Sequence, residues 1–252
     1  MQMSKKLVVI TGGTKGIGKE IAKKFLENKW FVLVGSRKAS IKMNKLNKNI
    51  NYFKIDVRFE KDHIKLLEYA KNWVGSINCY INCAGYSKWS PIKNVNEKIW
   101  NDMIDTNLKG TFWGCKAASK YLKKGSSIIN ISSIAGKRGS INNSVYCASK
   151  FGVNGITQSL SKELGPKGIR INSVCPVYVE TNGLVSALNT KFSPSKNINY
   201  KKYLNKFKNE NASLKRLPTH QEVADLCYYL SSNESSAITG QNINIDCGVF
   251  PQ

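Results

Sequence analysis

A chain of 252 residues with 41% hydrophobic and 22% charged side chains can bury a full core in one domain and is too apolar to be disordered. No apolar run approaches the ~18 residues that span a bilayer, and the N-terminal apolar stretch at 7–10 is too short for a secretory signal, so a cytoplasmic protein is expected. The net charge is +23, yet only five of the 39 basic residues are arginine. The lysines are scattered and accompanied by much asparagine, which reads as a solvated surface rather than a nucleic-acid face.

Seven cysteines, odd in number and without a C-x-x-C pair, predict free thiols in a reducing compartment. With only His63 and His220 far apart, neither a histidine zinc site nor a Ser-His-Asp triad has its parts, and no metal is expected.

In chain order, short apolar runs at 7–11, 31–35, 52–55, 78–82, 127–131, 170–174 and 242–245 read as strands. Most are too continuous to be buried on one face alone. Helical periods lie between them, as in Ile17, Ile21 and Phe25, in Ile64, Leu67 and Val74, and in Val223, Leu226 and Leu230. Longer helices are expected near 98–122 and 145–164. The alternation predicts a single α/β domain over 1–252: a doubly wound, seven-stranded, mainly parallel sheet of Rossmann type with helices on both faces. Ligands of such sheets bind beyond the carboxyl ends of the strands.

The first strand runs into TGGTKGIG, which comprises Thr11, Gly12, Gly13, Thr14, Lys15, Gly16, Ile17 and Gly18. A glycine-rich turn opening a helix lets the backbone approach a pyrophosphate, whose charge is received by free N–H groups and the helix dipole. A carboxylate for the ribose 2′-hydroxyl of NAD is expected about 20 residues further on. None occurs from Asn28 to Ile55, and the second strand ends in Ser36-Arg37-Lys38. Arg37, joined by Lys15 from the glycine turn, suits a 2′-phosphate and points to NADP(H).

After the fifth strand come NISSIAG, ending at Gly136, and YCASK, from Tyr146 to Lys150. Tyr146 and Lys150 share one helix face. A nearby ammonium is expected to favour the phenolate, bringing a phenolic proton within reach of catalysis at neutral pH. Tyr146 then protonates a carbonyl oxygen as a hydride arrives at its carbon.

Together these segments resemble the short-chain dehydrogenase/reductase family over essentially the whole chain. TGGTKGIG is similar to the family's cofactor loop. Asp56-Val57 resembles the pair whose carboxylate meets the adenine. Asn82-Cys83-Ala84-Gly85 resembles its NNAG, with cysteine for the second asparagine, and DTNLKG resembles the segment bearing its helix asparagine, here Asn107. Ser133 stands at the family's spacing before Tyr146. The resemblance implies that Tyr146 is the general acid, that Lys150 binds the nicotinamide ribose and lowers the Tyr146 pKa, that Ser133 holds the substrate carbonyl, and that Asn107 positions a proton-relay water. It places Pro176, Val179 and Thr181 at the nicotinamide, in a stretch where Val177 stands for a family glycine and leaves the loop shape open. Cys247 replaces another glycine, near a C-terminal segment that packs at a subunit interface in the family.

Residues 182–217 are expected to form a substrate lid. Tyr200, Tyr203, Leu204 and Phe207 give it an apolar helix face, opposed by Lys201, Lys202, Lys206 and Lys208. Tyr86 and Trp89 either line the pocket or cap the core. The resemblance implies a ketone–alcohol oxidoreductase acting on a small or carrier-bound carbonyl, nearest to 3-oxoacyl-acyl-carrier-protein reductases, and a homotetramer. A keto-sugar or nucleotide-sugar reductase is the alternative, and a non-catalytic cofactor-binding scaffold or nucleic-acid binder the remote one.

Overall fold

The computed structural model describes residues 5–39 and 48–251. Seven strands, β1 (Leu7–Thr11), β2 (Phe31–Ser36), β3 (Ile50–Lys54), β4 (Cys79–Asn82), β5 (Ser127–Ile131), β6 (Arg170–Pro176) and β7 (Asn242–Ile245), form one sheet in the order β3-β2-β1-β4-β5-β6-β7. Every pairing is parallel.

The strands are apolar on both faces because both are covered. Leu7 and Val9 of β1 pack into one core with Leu66 and Leu67 of helix α2 (Glu60–Val74), Ala117 and Ala118 of α4 (Gly110–Tyr121), and Leu164 of α5 (Ser144–Leu164). Val8 and Ile10 point the other way, onto Ile21 and Phe25 of α1 (Gly16–Glu27) and Val223, Cys227 and Leu230 of α8 (His220–Ser231). Side chains that alternate along one strand therefore found two separate cores.

The expected helix at 98–122 is interrupted. It consists of α3 (Glu97–Ile104), a five-residue π-helical turn (Asp105–Lys109) and α4. Helical periodicity cannot reveal a one-residue insertion of this kind, which is frequent at functional sites. β3 begins two residues before its expected start, and the helix expected from the spacing of Tyr200, Tyr203, Leu204 and Phe207 is present as α7 (Tyr200–Asn211), preceded by the short α6 (Asn182–Leu188).

Because β4 pairs with β1 rather than with β3, the chain reverses direction across the sheet between them. The helices leaving β1 and β4 diverge at that point, opening a crevice at the carboxyl ends of the strands.

Candidate active site

A cleft of about 690 Å³ opens at that crevice and runs from the glycine turn to α6 and α7. At the nucleotide end Gly12 adopts φ +78 and Gly16 φ +54, conformations that side chains disfavour. A Cβ on Gly12 would lie 2.7 Å from Ala84 Cα, and one on Gly18 would lie 2.6 Å from the Gly12 carbonyl oxygen. The turn is thus packed directly against the loop after β4. α1 has no side-chain cap and no acid in its first turn, so its leading N–H groups suit an anion.

Thr14, Lys15, Ile17, Ser36, Arg37, Asp56, Val57, Ala84 and Gly85 line this end together with Gly12, Gly16 and Gly18. Thr14 Oγ1 and Ser36 Oγ are 3.3 Å apart. Both oxygens of Asp56 accept hydrogen bonds from Arg58, the shortest 2.6 Å, and the guanidinium holds that carboxyl below its ordinary pKa. Val57 is fixed by His63. Its carbonyl can only accept, so His63 Nε2 carries the proton (2.8 Å) and Nδ1 accepts from the Tyr80 hydroxyl (2.7 Å).

Three expected site residues do not line the cleft. Thr11 is buried, and its Oγ1 accepts from the Cys83 and Ala84 N–H groups at 3.2 and 3.4 Å. Asn82 is buried and donates to Asn130 Oδ1 at 2.9 Å. Asn107, in the π-helical turn, accepts from the Tyr86 N–H at 3.0 Å and donates to the Tyr86 carbonyl at 2.9 Å and to Ser149 Oγ at 3.2 Å. All three shape the floor on which the lining residues stand.

At the chemical end, Ser133, Tyr146 and Lys150 line the cleft with Pro176, Val179 and Thr181. Lys150 is only 6% exposed, and its Nζ donates to the Ile131 carbonyl at 2.7 Å. Burial pulls its pKa down to about 8. Tyr146 is pushed up to about 12 by burial, opposed by a hydrogen bond with Ser133. Lys150 Nζ lies 5.7 Å from the centroid of the Tyr146 ring. Burial is the largest cause for both groups and acts oppositely on them, raising the phenol and lowering the amine. Thr181 caps α6, accepting from the Leu184 N–H at 2.9 Å.

The two replaced glycines differ. Val177 is not among the non-glycine residues with positive φ, so the loop there forms without glycine's freedom, whereas Cys247 is forced to φ +56. Both pack in one cluster with Ile134, Phe207, Ala212 and Val249.

Trp89 lines the cleft and is also buried against Leu188 and Leu204, so it serves both of the roles open to it. Tyr86 is 40% exposed along the same wall. The far wall adds residues that sequence reasoning passed over: Arg138, Asn143 and Tyr178. The Tyr178 and Tyr203 hydroxyls are 3.2 Å apart, and Phe207 meets Tyr178 edge-on at 4.8 Å.

A family model described as enoyl-(acyl carrier protein) reductase matches residues 12–250. The chain is 32% identical to the 3-oxoacyl-[acyl-carrier-protein] reductase of Chlamydia muridarum, with 97% of each chain covered. Among solved structures it resembles ligand-free Thermoplasma acidophilum aldohexose dehydrogenase with a TM-score of 0.87 at 28% identity, covering 97% of this chain and 94% of that one. It also resembles a variant of actinorhodin polyketide ketoreductase with NADPH, with a TM-score of 0.86 at 26% identity and 97% of each chain covered. A parallel seven-stranded sheet whose cleft joins a glycine turn to a Ser133, Tyr146 and Lys150 cluster thus accompanies full-length similarity to carbonyl reductases, and the chain belongs to the short-chain dehydrogenase/reductase family, as an oxidoreductase of carbonyl and hydroxyl groups.

Proposed function

We propose that the protein is an NADP(H)-dependent reductase of a 3-oxoacyl thioester carried on acyl carrier protein. The observation that carries this reading is the arrangement of one cleft: the glycine turn with Arg37 and Lys15 at one end, Ser133, Tyr146 and Lys150 at the other. The uncapped α1 fits a pyrophosphate, and Arg37 with Lys15 fits a 2′-phosphate. When bound there, the cofactor supplies or accepts a hydride at the substrate carbon.

The chain's own residues do the rest. Ser133 hydrogen-bonds the substrate carbonyl and fixes its oxygen beside Tyr146. The protonated Tyr146 gives its proton to that oxygen as negative charge develops. Lys150 holds the ribose and, while protonated, stabilises the phenolate left behind. Asn107 acts from below by fixing the Tyr86 backbone and contacting Ser149, one residue before Lys150.

The carrier would dock on the lysine face of α7, at the mouth of the cleft. Lys124 and Lys167 precede β5 and β6 and so stand at the opposite end of the strands. Exposed Trp100, Phe112 and Phe151 on α3, α4 and α5 suit pairing across a two-fold axis, and a homotetramer completes the assembly. Seven free thiols suit the cytoplasm.

The test is NADPH oxidation by the purified protein with matched 3-oxoacyl thioesters, enoyl thioesters and keto-sugars, each repeated with NADH. Highest kcat/KM on the 3-oxoacyl thioester is expected. Enoyl preference would move the reaction to the carbon–carbon double bond, and keto-sugar preference would select the reading that the aldohexose dehydrogenase similarity favours.

A further inference from the structure

Among the described residues, five charged side chains line the cleft: Lys15, Arg37, Asp56, Arg138 and Lys150. Four have a place in the proposed reaction or its cofactor site. Lys15 and Arg37 face a 2′-phosphate, Asp56 is tied to Arg58, and Lys150 serves the proton chemistry. Arg138 is left over. It is one of five arginines in the chain, it stands five residues after Ser133, and it makes no ion pair among the described residues.

Arg138 is not a side chain adrift in solvent. It is half-buried, its N–H closes a turn onto the Ile134 carbonyl at 3.1 Å, and its guanidinium lies over the Phe250 ring at 5.3 Å. Stacking on an aromatic face holds the plane of the fork while leaving its edge N–H groups available. The charge is close enough to Tyr178 to act on its hydroxyl, and Tyr178 in turn lies within electrostatic reach of Tyr146. The fork therefore belongs to the substrate end. The lining of the same cleft is incomplete: Asn143 Oδ1 and Ser87 Oγ are buried in it without hydrogen-bond partners. Buried polar atoms of that kind are normally satisfied, here by what occupies the cleft.

We propose that Arg138 is a specificity-determining residue that binds an oxyanion, carboxylate or phosphate, carried by the ketone substrate itself. The proposal rests on the ketone-reducing reading of the cleft and adds a second recognition point to it. The guanidinium presents paired donors to either oxyanion, and with no acid paired to it among the described residues, the substrate's own anion completes the pair. Arg138 thus fixes which ketones stand correctly between Ser133 and Tyr146, without taking part in proton or hydride transfer.

The test uses a ladder of straight-chain oxo acids of increasing length, their methyl esters and the matching oxoalkyl phosphates, with NADPH. For the best-fitting length, kcat/KM for the anion is expected to exceed that for its ester by about tenfold or more, carried by KM. The acid and phosphate arms show which oxyanion is preferred. In Arg138→Gln the anion-to-ester ratio should collapse to about one, and Arg138→Lys, which keeps charge but not the fork, should fall between. An NADP⁺ titration shows that each variant is folded. An ester preference in the parent protein, or the same ratio in parent and Arg138→Gln, overturns the proposal. If no ketone is turned over, the function reading fails alone. The subsite is then read by titrating straight-chain alkanoates and alkyl phosphates into the NADP⁺-loaded protein, followed by isothermal titration calorimetry. Saturable binding lost in Arg138→Gln upholds the subsite, and binding that is absent or unchanged by the substitution overturns it.

Discussion

Two cations in this cleft live under opposite conditions. Arg37, at the nucleotide end, is exposed to solvent. Lys150, at the chemical end, is 6% exposed, hydrogen-bonded to a backbone carbonyl and brought down to about 8 by burial. The nucleotide end is shaped by backbone, through glycines at which no Cβ fits, and offers charge in water. The chemical end is shaped by packed side chains and offers groups whose protonation burial has shifted. The first arrangement selects a ligand; the second moves a proton. Substitutions at the two ends should therefore report in different observables.

The largest effect belongs to the chemical end. Tyr146→Phe should lower kcat by about 10²–10⁴, the general-acid contribution, while the NADPH dissociation constant stays within about twofold. Equal damage to both, by rapid-quench kinetics and fluorescence titration, would break the division between the two ends. At the nucleotide end, Arg37→Ala should reduce the NADPH-over-NADH preference in kcat/KM by roughly ten- to a hundredfold, for a lost charge-assisted contact of about 1.5–3 kcal/mol, with NADH kinetics almost unmoved.

A pH profile sharpens the contrast. Burial favours the neutral amine, so Lys150 loses its proton as pH rises through about 8. kcat/KM for reduction should then fall about tenfold per pH unit above that point. The NADPH-to-NADH ratio should stay constant from about pH 7 to 9, because guanidinium groups in general are charged throughout that range and the 2′-phosphate is already ionised. A ratio that tracks the activity would tie the two ends together.

The smallest effect lies beneath them. His63 supports Val57 in its neutral form, and burial lowers its pKa below the unfolded value of about 6.5. A lowered histidine pKa contributes stability that is present above the unfolded pKa and lost as pH falls through the folded one. The His63 contribution to the thermal midpoint should be constant above about pH 7 and decline below about pH 6.5. His63→Gln should lower the plateau but flatten that decline, as scanning calorimetry can show.

Legibility in the sequence obeys the same divide. The strands, the glycine turn and the Tyr146–Lys150 pair are local patterns, and β1, β5 and β7 have the bounds expected from apolar runs alone. The walls of the substrate end are not local. Trp89, Arg138, Tyr178 and Tyr203 meet only after β4, β5, β6 and α7 are assembled, and no spacing announces it. One signal was available: the rarity of arginine, which singles out Arg37, singles out Arg138 equally well. The ionisation of Tyr146 was beyond reach for a different reason. Helix spacing places Lys150 beside it, but the depth of burial that decides both pKa values is a property of the whole fold.

The π-helical turn at Asp105–Lys109 also sets the rotational phase of α4. Each residue of an α-helix advances about 100° around the axis. Were the same residues wound as regular α-helix, the one extra residue would rotate α4 by about that angle. Gly110 faces Val57 and Gly114 faces Asn82, each with little or no room for a Cβ, so bulkier side chains would swing into both contacts. The irregular turn is thus a phase correction that allows one helix to hold Asn107 beneath the cleft while its continuation keeps its small residues against the sheet.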